Sequence, residues 1–122
     1  MSRILVAEDS GPIRLLLRRR LEMSDHTVVE ASDGCQAVQM FAADDGSDRP
    51  DLVLIDAMMP NLDGSATIRE IKRLSPETPV IVVSALNGLD RSPDWRLAEG
   101  HFTKPGDFDR LLARVSELTA AT

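Results

Sequence analysis

The chain is poor in several things, and each shortage excludes something. One cysteine, Cys35, occurs in 122 residues. No disulfide can form within the chain, and a reducing compartment is its expected home. No apolar run approaches the length of a membrane span. The opening MSRILVAEDS turns acidic too soon for a signal peptide. A cytoplasmic protein without a membrane partner is therefore expected. Positive charge is scarce as well: 14 Lys and Arg stand against 20 Asp and Glu, for a net charge of −6. A nucleic-acid partner normally needs a basic face, so none is expected. No G-x-G-x-x-G follows a strand, which argues against a dinucleotide-binding domain. Linkers, internal repeats and low-complexity segments are missing. The length suits a single domain over residues 1–122, with no effector domain in the chain.

What is present is strand and helix in alternation. ILVA, residues 4–7, is a short branched apolar run and reads as a buried strand ending at Glu8-Asp9. Ser10-Gly11-Pro12 then starts a helix, with Ser10 as candidate cap and Pro12 in the first turn. Ile13, Leu16, Leu17 and Leu21 follow at helical spacing. TVVEA, residues 27–31, is the second strand. Asp33-Gly34 turns into a helix carrying Ala37, Val38, Met40 and Phe41, with Cys35 expected to be packed or half-packed. The polar run at 44–50 is a loop. DLVLID, residues 51–56, is the third strand, MPNLDG a loop, and Ile68, Ile71 and Leu74 mark the next helix. VIVV, residues 80–83, is the fourth strand and ends at Ser84. A polar turn leads to Ser92-Pro93, where a late, short fourth helix is expected to carry Trp95. His101 to Thr103 form a short fifth strand. The last helix shows Phe108, Leu111, Leu112, Val115 and Leu118 on one face. Arg14, Arg18, Arg19 and Arg20 read as a solvated helix face.

Apolar strands without a polar face imply a parallel sheet covered by helices on both sides. In such a sheet ligands bind outside the carboxyl ends of the strands. The residues at those ends are Glu8, Asp9, Asp56, Ser84 and Lys104. Three carboxylates in one crevice repel one another unless a cation relieves them. The ammonium of Lys104 is one such cation. Oxygen-only ligands also suit Mg²⁺, with Mn²⁺ as a substitute. A purely structural ion-pair network around Lys104 accounts for one base but not for three acids at strand ends.

The pair Glu8-Asp9, the segment DAMMPNLDG, Ser84-Ala85 and Lys104-Pro105 occur in order over nearly the whole chain. This set resembles the response-regulator receiver domain of two-component signalling. The resemblance implies a five-stranded, doubly wound, flavodoxin-like α/β fold. It implies a signalling module, not an enzyme, in which Asp56 takes a phosphoryl group from a sensor histidine kinase or a histidine phosphotransfer protein. It implies Mg²⁺ held by Asp9, Asp56 and the backbone carbonyl of Met58, with Glu8 acting through a metal-bound water. Lys104 and Ser84 would meet the phosphoryl oxygens, and the small Ala85 would leave them room. Pro60 and Gly64 would shape the loop after Asp56, and Pro105 would aim Lys104 through a cis peptide bond. A downstream protein or effector domain would read the switched surface.

The sequence departs from the family pattern near its end. An aromatic switch residue is usual three positions before the lysine. Here that residue is His101, read either as a pH-sensitive switch or as a surface histidine on an edge strand. Gly106 stands where phenylalanine is common. Met58 and Leu86 are apolar at positions that tune phosphoryl lifetime. An aspartyl phosphatase would carry a second acid two residues after Asp56, where Met58 stands. The remaining alternative is a receiver-like interaction module that works independently of phosphorylation.

Overall fold

The structure, a computed structural model, describes residues 2–8, 10–42, 49–56, 64–84, 96–103 and 108–119, apart from the side chains of Ser84, His101, Thr103 and Phe108. The strands are β1 (Arg3–Ala7), β2 (Thr27–Ala31), β3 (Leu52–Asp56), β4 (Val80–Ser84) and β5 (Gly100–Thr103). The described helices are α1 (Gly11–Met23), α2 (Gly34–Ala42), α3 (Gly64–Leu74) and α4 (Phe108–Thr119). The strands form one parallel sheet in the order β2-β1-β3-β4-β5.

Period-two alternation splits the strand residues between two apolar layers. Leu5, Ala7, Val53, Ile55, Val80 and Val82 face one side and pack with Ala37 and Phe41 of α2 and Ile68 and Ile71 of α3. Ile4, Val6, Leu52, Leu54, Ile81 and Val83 face the other side, against Leu17 and Leu21 of α1 and Leu111 and Val115 of α4. Helices therefore cover both faces, as the apolar strands required. Each fully buried Leu, Ile or Phe contributes roughly 1.5–3 kcal/mol through removal of apolar surface from water.

Several local expectations shift. Asp51 lies outside β3. Its amide donates to the Arg3 carbonyl at 2.7 Å and its carboxylate accepts the Arg3 amide at 2.9 Å, closing the start of β1. Gly64, expected in the loop MPNLDG, is the first residue of α3 and is buried. Ser10 occupies the N-cap position of α1, but its hydroxyl makes no capping hydrogen bond. At α2 it is Asp33 that caps, its Oδ1 accepting the Gln36 amide at 2.8 Å. Cys35 is exposed, not packed. The buried stripe of α2 runs through Gly34, Ala37 and Phe41, and the helical turn carries position 35 away from it. Leu16 is 41% exposed, while Leu17 and Leu21 hold α1 to the sheet.

The basic face of α1 is more than solvated. Arg14 pairs with Glu30, Arg18 with Glu22 and Glu30, and Arg20 with Asp109 of α4. The hydrogen bond that Arg18 donates to the Glu22 carboxylate, with the charges of Glu22 and Glu30, raises the Arg18 pKa. The fourth helix expected around Ser92-Pro93, with Trp95, falls outside the described residues.

At the amino end of the sheet, Glu99 ties four elements together. Its amide donates to the Val80 carbonyl at 2.8 Å, and its Oε2 accepts the Val80 amide at 2.7 Å. Its Oε1 pairs with Lys72 of α3, whose ammonium also donates to the Thr78 carbonyl at 2.8 Å. Arg114 of α4 donates to the Glu99 carbonyl at 3.1 Å.

Candidate functional site

The strand order places a topological switch point between β1 and β3. The chain leaves β1 for β2 on one side, then returns to β3 on the other. Crossovers diverge there, which opens a crevice at the carboxyl ends of the two strands. Ala7 pairs with Ile55, so Glu8 and Asp56 follow as the next residues of adjacent parallel strands. They continue the rows Ile4–Val6 and Leu52–Leu54, on the face that α1 and α4 cover.

Both carboxylates are deeply placed: Glu8 is 2% and Asp56 6% exposed. Glu8 is held at three points. Its amide donates to the Ala31 carbonyl of β2 at 3.1 Å. Its carbonyl accepts Arg14 Nη1 at 2.6 Å. Its Oε2 accepts the Ser10 amide at 3.1 Å. Two buried acids at neighbouring strand ends form a hard-oxygen donor set, the type that Mg²⁺ prefers. Among the described residues no cluster of three or more His, Cys, Asp or Glu assembles.

Of the other expected site residues, Ser84 ends β4, one position past the Asp56–Val83 pair, and is itself paired with Thr103. That puts the Ser84 backbone at the same end of the sheet as Asp56. His101 pairs with Val82, two residues before the end of β5 on the sheet edge; its side chain lies outside the described residues. So do Asp9, Met58, Pro60, Ala85, Lys104 and Pro105. Gly64 opens α3, the next described element after Asp56.

Sequence reasoning missed Arg14 and Glu30. The available signal was an acid inside the otherwise apolar TVVEA and an arginine in the helix that follows Glu8-Asp9. A cleft of about 370 Å³ lies elsewhere, lined by Arg49, Pro50, Asp51, Ser75, Glu77, Thr78, Pro79 and Leu118. These include the residues that precede β3 and β4, so the cleft sits at the amino end of the sheet, away from Glu8 and Asp56.

This geometry agrees with what the chain is similar to. Residues 4–116 match the model of the response regulator receiver domain, and the chain belongs to that family. Response regulator MprA of Mycobacterium ulcerans is 36% identical over an alignment of 127 residues, which covers 98% of this chain and 51% of MprA. The chain thus spans about half the length of the curated relatives it matches. Response regulator TrrA of Thermotoga maritima, solved in complex with Mg²⁺-BeF, superposes with a TM-score of 0.87 at 28% identity, covering 97% of this chain and 99% of that one. The receiver domain of a sensor histidine kinase from Pseudomonas aeruginosa, with a magnesium ion in its active-site cleft, superposes with a TM-score of 0.82 at 26% identity, covering 96% of each chain. The flavodoxin-like receiver fold expected from the sequence is the fold observed. No helix among the described residues is long and apolar enough to cross a membrane.

Proposed function

We propose that this receiver domain accepts a phosphoryl group on Asp56 and passes the change to a protein partner. The observation that carries the reading is the buried pair Glu8 and Asp56, side by side at the switch point of a receiver-family chain. One Oδ of Asp56 attacks phosphorus in line. The phosphorus–nitrogen bond of a donor phosphohistidine, protonated on its other ring nitrogen, breaks; neutral imidazole leaves, and an acyl phosphate forms on Asp56. The donor would be a sensor histidine kinase or a histidine phosphotransfer protein.

The donor set fits Mg²⁺, held in this proposal by Asp9, Asp56 and the Met58 carbonyl, with Glu8 acting through a bound water. When bound, the ion neutralises charge that builds on the transferring oxygens. Lys104 would balance the remaining negative charge, and Ser84 would donate its hydroxyl to a phosphoryl oxygen. Ala85 would leave space, while Pro60 and Pro105 would shape the surrounding backbone. His101 is the proposed switch position on β5. The domain would work in the cytoplasm, and its output would be read by a partner protein or effector domain. Its chemistry is confined to its own phosphorylation and dephosphorylation.

Incubation with Mg²⁺ and acetyl phosphate, read by intact mass, tests this. One phosphoryl group should be added, and Asp56→Asn or excess EDTA should abolish it. Undiminished labelling of the Asp56→Asn variant would refute the assignment.

A further inference from the structure

We infer that Arg14 is a positioning residue for the cation site, an inference that rests on the phosphoacceptor reading of Asp56. Glu8 stands one residue past the last paired position of β1; its amide still donates to the Ala31 carbonyl of β2 at 3.1 Å, but its carbonyl lies beyond the ladder. What fixes its carbonyl is Arg14 Nη1, at 2.6 Å. The same guanidinium reaches Glu30 Oε1 through Nε, at 3.3 Å. Glu30 belongs to β2 and pairs with Val6, two residues before Glu8. The Arg14 amide donates to the Ser10 carbonyl at 2.9 Å, and the Ser10 amide donates to Glu8 Oε2 at 3.1 Å. One planar fork therefore joins the edge strand, the start of α1 and the backbone of Glu8. Arg18 Nη1 holds the other oxygen of Glu30 at 2.8 Å, which orients the carboxylate toward Arg14.

The residue does not touch the cation or the phosphoryl group in this scheme. It sets where Glu8 presents its carboxylate. Charge and geometry act in opposite directions here. A nearby guanidinium repels a second cation, so removing the charge alone would tighten Mg²⁺ binding. Removing the fork would loosen the Glu8 carboxylate and weaken binding. Arg14→Lys separates the two, since lysine keeps the charge but cannot hold a carbonyl and a carboxylate in one plane.

The test is calorimetric titration of Mg²⁺ into the wild-type chain, Arg14→Lys, Glu30→Gln and the double variant, without phosphodonor. Supporting outer-shell contacts typically change metal affinity by about 10- to 100-fold, and Arg14→Lys should weaken binding by about tenfold. Glu30→Gln should shift it in the same direction by less, and the double variant should be no weaker than Arg14→Lys, since both act through one fork. In acetyl phosphate labelling, the Mg²⁺ concentration for half-maximal rate should rise while the rate at saturating Mg²⁺ is kept. Unchanged Mg²⁺ affinity in Arg14→Lys overturns the inference. So does a reduced saturating rate at unchanged affinity, or a wild-type chain that binds no Mg²⁺. A wild-type chain that binds Mg²⁺ but takes no label overturns the phosphoacceptor reading instead, and the calorimetry still decides the role of Arg14.

Discussion

Glu99 offers the sharpest test of what holds β5 to the sheet. Its side chain is 30% exposed and that of Lys72 only 12%. Glu99→Ala removes the acceptor of the Val80 amide, a bond of 2.7 Å to a residue with no solvent exposure. A hydrogen bond to a charged group contributes about 1.5–3 kcal/mol, and partial exposure of Glu99 lets water recover part of it. Lys72 keeps the Thr78 carbonyl at 2.8 Å but loses its counter-charge, which adds about 1 kcal/mol at this degree of burial. The expected loss is about 2–3 kcal/mol. Unfolding entropy near 2.1 cal/mol/K per residue then predicts a drop of about 8–12 °C in Tm. Glu99→Gln retains an acceptor for Val80 and should lose about half as much. Urea and thermal unfolding followed by far-UV circular dichroism measure both variants. A loss below about 0.5 kcal/mol in Glu99→Ala, the range of ordinary surface changes, would refute the reasoning. So would a glutamine variant less stable than the alanine one.

Two further predictions concern stability. Leu54, 1% exposed in the layer beneath α1 and α4, should cost about 2–5 kcal/mol as alanine, read as a lower urea midpoint at unchanged slope. His26 has its pKa lowered by burial, and its Nδ1 has no hydrogen-bond partner among the described residues. The unfolded chain therefore takes up that proton more readily than the folded one. The neutral-histidine contribution is full above the ordinary value of about 6.5 and is lost as pH falls through it towards the folded pKa. Urea midpoints between pH 7.5 and pH 5.5 should fall less in His26→Gln than in the wild type; an unchanged pH profile would count against the burial effect.

Much of the fold was legible in the residue pattern. TVVEA begins and ends where β2 does, because a short branched run between turn residues leaves a strand little freedom. Gly64 was harder, since a glycine after aspartate looks like a turn until the helix that follows buries it. Cys35 is exposed because the buried stripe of α2 starts at Gly34 and runs through Ala37 and Phe41, a phase that is set by packing against the sheet and turns position 35 outward. Glu99 gave no signal at all. A glutamate before a short strand is unremarkable until Lys72, Val80 and Arg114 converge on it.

By itself the sequence determined the local elements and the acids at their ends. Periods of two and 3.6 residues are properties of the backbone, so they can be read along the chain, and the ordered motifs around Glu8-Asp9 and Asp56 carried the family. Only the tertiary structure decided that β1 lies between β2 and β3, which makes Glu8 and Asp56 neighbours at a switch point. It alone brought Glu30 to Arg14 and Arg14 to the Glu8 carbonyl. Those contacts depend on how crossovers order the strands and where long side chains meet after packing, and no local periodicity encodes either.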